Sequence, residues 1–408
     1  MKRILKRASV LLPAFVLLCT LVLSGAPAED EDDLIITDLL DEDFCIVEEI
    51  SLDEPHPARD LIWHTPNERS DVLCDHETCF WNLRMGDLEN EAAIWEVLTQ
   101  PITVLKGSER NQHKVQARPG DDCTDYVGCV TYASQGVHVL KQEGEWSLIE
   151  AYSTCTEGSS VKVWAEPFQG WVKTELLEEK PVSDEYGIVI DKLQQRLYVF
   201  KEGKLFSTLL CSTGFAREDT PFNETPAGEF IAVSWTGGFW SGSLFCDMGI
   251  RINDGILMHE VPCIIRTDDD GTETKDYSRC ERYLGEKASH GCIRIQKEKT
   301  PEGVNMKWLW DNLSRKPYTK VIIWDEVGRE LGYPSEDYPL YYNTNKGKQY
   351  HSSPTCTLVN SKYWPLTEFT WGELEEKPYA KLTRCPGCSP QLRGTEIDTV
   401  NSKNTREP

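Results

Sequence analysis

Between Gln100 and Trp324 the chain is written as short apolar runs with two-residue alternation, each closed by glycine, proline or a polar turn, and that texture dictates a β fold. A first group, Ile102–Leu105, Lys114–Ala117, Val127–Thr131, Gly136–Leu140, Trp146–Ile149 and Gly170–Lys173, recurs at the spacing of a small barrel, with one face of each strand turned inward. From Tyr186 the runs lengthen. Tyr186–Ile190, Arg196–Phe200 and Leu205–Leu210 are separated by turn formers such as Lys201–Lys204 and open a mostly antiparallel domain. Further strands are expected around Glu229–Ser234 and Gly255–Met258, a helix over Asn305–Leu313, and a closing strand at Lys320–Trp324. Upstream, Asp87–Trp95 suits a short helix of no evident role.

The first residues run from a basic segment, Met1–Arg7, through an apolar stretch, Val10–Leu23, to Ala26-Pro27-Ala28, the order of a secretory signal peptide. The apolar stretch is shorter than the roughly 20 residues that a bilayer core requires, so no stable membrane span is expected after cleavage. Loss of the first 28 residues, with four positive and no negative side chains, deepens the formal charge from -24 to -28. A field of that sign repels a polyanion, which excludes nucleic acid as a partner. Fourteen cysteines remain beyond Cys19, and outside the cell disulfides are permitted. Cys74 with Cys79 and Cys123 with Cys129 are candidate pairs, with Cys155, Cys263 and Cys280 as other partners; spacing alone does not fix connectivity.

The chemistry concentrates in Ser289-His290-Gly291-Cys292-Ile293-Arg294. A cysteine becomes a nucleophile when a base or positive dipole serves its thiol and solvent can reach it. Gly291 lets a substrate approach the backbone and permits a tight turn that aligns N–H groups on a developing oxyanion. A second histidine, His259, ends the strand-like run Gly255–Met258, where a base is held more rigidly than on a loop.

Taken in order, strands Tyr186–Leu210, Thr213-Gly214, Thr225–Phe230, His259 and Ser289–Arg294 resemble the catalytic domain of the L,D-transpeptidases, over about 140 of 408 residues. The resemblance implies that Cys292 attacks the carbonyl between the third residue and the terminal D-Ala of a peptidoglycan tetrapeptide stem, and that His259 is the general base. It implies that His290, Gly291 and Cys292 line the oxyanion site, that Ser289 orients the turn, and that Arg294 supports the site or binds a substrate carboxylate. No cofactor is implied for catalysis. The sequence departs from the family in two places. Twenty-nine residues separate His259 from Ser289, an excess carrying Asp268-Asp269-Asp270-Gly271, and Glu260 follows His259 where a small or hydroxyl residue is usual. The first strand group resembles a bacterial SH3-type wall-binding module through Ala117-Arg118-Pro119 and Gly170-Trp171-Val172.

Near the C-terminus, His351, Cys356, Cys385 and Cys388 give His-x4-Cys followed by Cys-x2-Cys, spacing that suits a structural zinc or, alternatively, a disulfide. The chain is therefore expected to be mainly β: a signal peptide (1–28), an acidic disordered spacer (29–60), a small region (61–99), an SH3-like barrel (100–180), an L,D-transpeptidase-like β-sandwich (185–327), a Cys/His knot (336–390) and a flexible tail (391–408). The function implied is peptidoglycan crosslinking by a secreted, extracellular or wall-associated bacterial enzyme. A carboxypeptidase or endopeptidase using the same thiol, and an inactive wall-binding scaffold, are the alternatives.

Overall fold

The computed structural model describes residues 90–403 except 328, 357 and 386. The stretches expected as a signal peptide (1–28) and an acidic spacer (29–60), and the region 61–89 with Cys74 and Cys79, lie outside the described residues.

Helix α1 (Glu91–Thr99) is started by Asn90, whose side chain accepts the N–H of Ala93 at 3.3 Å, the exchange that favours Asn before a helix. It buries Ile94, Val97 and Leu98, the i, i+3, i+4 stripe of one face, against Val189, Phe200, Ile322 and Trp324. Complete burial of each such side chain is worth about 1.5–3 kcal/mol. The short helix of unassigned role thus covers the outer face of the large sheet.

The first β domain comprises β1 (Ile102–Leu105), β2 (Gln112–Gln116), β3 (Tyr126–Thr131), β4 (His138–Glu143), β5 (Trp146–Thr154), β6 (Trp164–Lys173) and β7 (Leu177–Lys180). Strands β3-β2-β6-β5-β4 form one antiparallel sheet around Val115, Val127, Ile149, Phe168 and Val172, while β1 pairs with β7. Cys129 in β3 is bonded to Cys155, just past β5, and not to Cys123. Cys123 sits in the turn before β3 with its thiol on the Asp125 carbonyl, whereas Cys129 and Cys155 are brought side by side by the sheet, their Cα atoms 5.1 Å apart. Cys263 and Cys280 are free and buried.

The second domain contains β8 (Tyr186–Asp191), β9 (Arg196–Lys201), β10 (Lys204–Ser212), β11 (Gly228–Ile231), β12 (Ser234–Ser241), β13 (Leu244–Arg251), β14 (Leu257–Glu260), the hairpin β15 (Ile264–Thr267) and β16 (Glu273–Asp276), α2 (Ser278–Glu281), β17 (Ile293–Ile295), α3 (Met306–Asn312) and β18 (Lys320–Trp324). Nine strands form one sheet in the order β11-β18-β8-β9-β10-β17-β14-β13-β12. Two neighbours in it, β18 with β8 and β14 with β17, run parallel. One core draws on both halves, Ile188, Val199 and Val321 from one and Ile250, Met258 and Ile293 from the other, with Met306 and Leu309 of α3 filling the space between. The sheet therefore folds over itself as a sandwich does. The excess between His259 and Ser289 forms the β15–β16 hairpin, with Asp268–Gly271 at its exposed tip.

The last module is a four-stranded sheet, β21-β19-β20-β22, from β19 (Pro339–Tyr342), β20 (Gln349–His351), β21 (Thr367–Thr370) and β22 (Thr383–Arg384). The segment after residue 390, expected as a flexible tail, instead forms α4 (Gly394–Lys403). Buried Ile397 anchors it, and Asn401 exchanges hydrogen bonds with the backbone of Leu331. A single buried apolar side chain on a polar helix gives no periodic signal, which is why the sequence does not announce it.

Candidate active site

The cysteine turn is fixed before any substrate arrives. The carbonyl of Thr213 accepts the N–H groups of Ala288 and Ser289 at 3.0 Å, and the carbonyl of Ser289 accepts that of Phe215 at 2.9 Å. Ser289 Oγ donates to the carbonyl of Cys292 and accepts the Gly291 N–H at 3.2 Å, closing the turn on itself. Gly291 has φ of 110°, a conformation that L side chains rarely adopt. Thr225, in the segment Thr225–Phe230, has a definite task here: its hydroxyl donates to the Gly291 carbonyl at 2.7 Å and accepts the Gly214 N–H at 2.8 Å. A Cβ on Gly214 would stand 2.0 Å from the carbonyl oxygen of Asn223, so only glycine lets these segments meet.

Cys292 emerges half-buried at the start of β17, and its Sγ lies 3.6 Å from the carbonyl oxygen of Gly255. Burial pushes its thiol above the ordinary range; the backbone N–H of Leu257 and the guanidinium groups of Arg294 and Arg251 oppose that rise. The parallel register of β14 and β17 sets Met258 beside Ile293, both in the core, and His259 beside Arg294. Alternation along the strands then turns His259 and Arg294 together to the side opposite that core pair, and Cys292 immediately precedes β17.

His259 is buried, with the edge of Phe239 packed on it at 5.5 Å between ring centroids. Its Nδ1 donates to the carbonyl of Glu260 at 2.7 Å, which fixes the tautomer and leaves Nε2 able to accept a proton. Burial lowers its pKa to about 4 despite that hydrogen bond, and repulsion from Arg294 acts in the same direction. The departure at Glu260 therefore does not touch the ring: orientation comes from a backbone carbonyl, which any residue supplies. The Glu260 carboxylate points elsewhere and accepts the Tyr277 hydroxyl at 2.6 Å.

His290 projects outward as an exposed side chain, its pKa lowered by partial burial and by the charges of Arg294 and Arg217. Arg294 forms no ion pair among the described residues, although it lies near Cys292, His259 and His290. Behind the turn is a group that sequence reasoning passed over. Lys192, fully buried, contacts Glu224 at 3.0 Å and Asp325 and Glu326 at 2.9 Å, and Lys287 bridges Glu224 and Glu326. Lys192, Glu224, Lys287 and Glu326, with Phe215 and one face of α4, wall a cavity of about 450 Å³ that Cys292 does not line.

With these positions in view, the comparison with known families is direct. Residues 185–323 match the family model of the L,D-transpeptidase catalytic domain. Among solved structures, the chain is similar to an L,D-transpeptidase from Xylanimonas cellulosilytica, at 18% identity over 36% of this chain and 64% of that one, with a TM-score of 0.23. It is similar to a fused Zn-dependent amidase/peptidase/peptidoglycan-binding protein from Clostridium acetobutylicum, at 25% identity over 36% and 55%, TM-score 0.24. An L,D-transpeptidase from Mycobacterium smegmatis shares 14% identity over 56% and 92%, TM-score 0.26. The chain spans less than two thirds of the first two of these structures. No curated protein matches it. Cys292, His259, Ser289, His290, Gly291 and Arg294 all fall within the L,D-transpeptidase match, whereas the four metal-ligand candidates lie beyond it.

Those four converge in the C-terminal module. The ligand atoms of His351, Cys356, Cys385 and Cys388 all lie within 4.8 Å of one another. Cys356 and Cys385 sulfurs are 3.8 Å apart, and Cys388 Sγ is 3.6 Å from His351 Nδ1. A tetrahedral ion with Zn–S bonds of about 2.3 Å requires sulfurs roughly 3.8 Å apart, so the set fits a metal. The Ser352 N–H directed at Cys388 Sγ, 3.3 Å away, suits a thiolate ligand. No helix among the described residues is long and apolar enough to cross a membrane.

Proposed function

We propose that the chain is an exported, wall-associated L,D-transpeptidase acting on peptidoglycan stem peptides. The observation that carries this reading is the imidazole of His259, held by the Glu260 carbonyl with Nε2 free and its pKa lowered by burial, beside Arg294 on the strand that Cys292 immediately precedes. Because both groups are uncharged at rest, His259 takes the thiol proton as sulfur attacks the stem carbonyl, working as a general base and not as half of a standing ion pair. The tetrahedral oxyanion is received by the His290 and Cys292 N–H groups, since that of Gly291 is engaged by Ser289. Collapse forms the Cys292 thioester and breaks the peptide bond, and D-Ala leaves with the proton from His259. The acceptor amine attacks the thioester, gives its proton to His259, and the thiol is regenerated as the crosslink forms. Arg294, without a carboxylate of its own among the described residues, binds a substrate carboxylate. In the C-terminal module, His351, Cys356, Cys385 and Cys388 hold a structural zinc; it takes no part in the transfer.

Incubation of the full chain with stem tetrapeptides, with and without an acceptor amine, tests the proposal. A Cys292 adduct lacking the mass of D-Ala, absent in Cys292→Ala, and crosslinked dimers in the presence of the amine are expected. Free tripeptide as the only product would assign the thioester to hydrolysis, and no adduct at all would leave the inactive scaffold.

A further inference from the structure

The turn beneath the Cys292 sulfur is held from the other domain. Residues 252–256 join β13 to β14: the Asn253 carbonyl accepts the Ile256 N–H at 3.1 Å, and the Ile256 carbonyl accepts the N–H groups of Ile252 and Asn253 at 3.2 Å. Gly255 of this turn presents its carbonyl to Cys292 Sγ at 3.6 Å, and Leu257, next along, directs its N–H there. Asn253 is buried, and its side-chain oxygen accepts a hydrogen bond from the hydroxyl of Thr131, at the end of β3 in the first β domain. Its Nδ2 is buried with no acceptor among the described residues, so Thr131 is the side chain's one hold.

Thr131 is in turn over-determined. Its N–H donates to Gln135 Oε1 at 2.8 Å, which also accepts the Thr154 hydroxyl at 2.9 Å; with the Thr131 proton given to Asn253, the two threonine oxygens stand in contact at 3.1 Å. Thr154 and Thr131 stand beside the Cys129–Cys155 disulfide. The same edge is joined to β11: Gly136 N–H donates to the Glu229 carbonyl at 2.7 Å, Ile231 N–H to that of Ser134 at 2.9 Å, and the Glu229 carboxylate is shared by His138 at 2.8 Å and Lys320 at 2.7 Å. A polar network buried but for His138, with this many mutual bonds, has little freedom to move.

We propose that Thr131 is a positioning residue for the Cys292 thiol: through Asn253 it fixes the turn that sets Gly255 and Leu257 against the sulfur, making the first β domain part of the reaction machinery and not a detachable anchor. The inference rests on the transpeptidase reading only for its effect on turnover. Displacing the turn withdraws the Leu257 N–H from the thiolate and misplaces the sulfur, so binding is spared while reaction suffers.

The test compares the full chain with Thr131→Val, Thr131→Ser and Asn253→Ser, following the pH dependence of Cys292 alkylation by iodoacetamide alongside tetrapeptide turnover. Thr131→Val is expected to move the alkylation midpoint up by at least half a pH unit, slowing alkylation at pH 7.5 about threefold, and to lower kcat about tenfold with KM within twofold of the parent. Thr131→Ser keeps the hydroxyl and is expected to restore both. Asn253→Ser, which breaks the bond from the other side, is expected to repeat the shift. A parent-like midpoint in either Thr131→Val or Asn253→Ser, with circular dichroism showing that variant folded, overturns the proposal. Alkylation consumes no peptide, so a shifted midpoint without turnover by the parent would fault the substrate assignment alone.

Discussion

Lys192→Met removes the ammonium from a site that holds three carboxylates. Glu224, Asp325 and Glu326 each lie 2.9–3.0 Å from Lys192 Nζ, and Lys287 is the other cation in the group. With two cations against three anions the group closes at a single negative charge; in the variant, where Lys287 alone remains, the excess becomes two around buried carboxylates. Breaking a buried pair by deleting one partner costs about 3–5 kcal/mol, because the remaining charge is left without compensation. For a domain of this size that corresponds to a fall in Tm on the order of 10 °C. The sign of its pH dependence follows from the carboxylates. In the parent, Lys192 and Lys287 hold Glu326 well below the usual carboxylate range, while burial already pushes Asp325 up. Without Lys192, Asp325 rises further and Glu326 loses much of what holds it down, so the variant is penalised most at neutral pH and recovers as falling pH protonates them. Urea unfolding of parent and variant at pH 7.5 and pH 5 reads this directly. A loss below about 1 kcal/mol at pH 7.5, or an equal loss at both pH values, would refute the claim that Lys192 is an essential counter-ion.

Two further outcomes follow from the site and from the C-terminal module. With His259 neutral down to about pH 4 and the thiol raised by burial, alkylation of Cys292 is expected to climb steadily from pH 6 upward; a plateau between pH 5 and 8 would indicate a standing thiolate–imidazolium pair and contradict the general-base reading. The purified chain is expected to carry about one zinc by elemental analysis, lost in Cys385→Ser, and a chelator should unfold residues 336–390. Near-absence of metal together with a Cys356–Cys385 disulfide by peptide mapping would exclude the metal site.

Much of this arrangement is legible in the residue order because local physics writes it there. Alternation gives β8 and β9, and Gly291 in a Ser-His-Gly-Cys run gives a tight turn, whatever the rest of the chain does. What pairs with what is set at long range. The parallel contact of β14 and β17, which brings His259 beside Arg294, two residues on from Cys292, depends on a crossover through the β15–β16 hairpin that spacing alone does not specify. Backbone groups are a second blind spot: the carbonyl of Glu260 orients His259, so the unusual side chain there misdirects a reading based on residue type. Charge misleads in the same way. Lys192, Glu224 and Asp325 look like solvated surface in a strongly acidic chain, yet they are buried beside the cysteine turn and paired with one another.

The connection between the two β domains shows the same limit from the opposite direction. Thr131 and Asn253 are unremarkable residues 122 positions apart, and neither belongs to a recognisable motif. A motif records what the chemistry requires at the reacting atoms; it is silent about what keeps those atoms still. Here the requirement is met by the Gly255 carbonyl on a short turn and the Leu257 N–H at the strand it feeds, and a short turn between two strands cannot hold itself to the tolerance that a thiol needs. Some buried side chain had to supply that hold, and the fold draws it from the neighbouring domain, where a disulfide and a closed set of hydroxyl and amide bonds already immobilise the strand end. If that is right, loosening the first β domain damages the reaction even in an assay with small soluble peptides, where an anchor for the wall would have nothing to contribute.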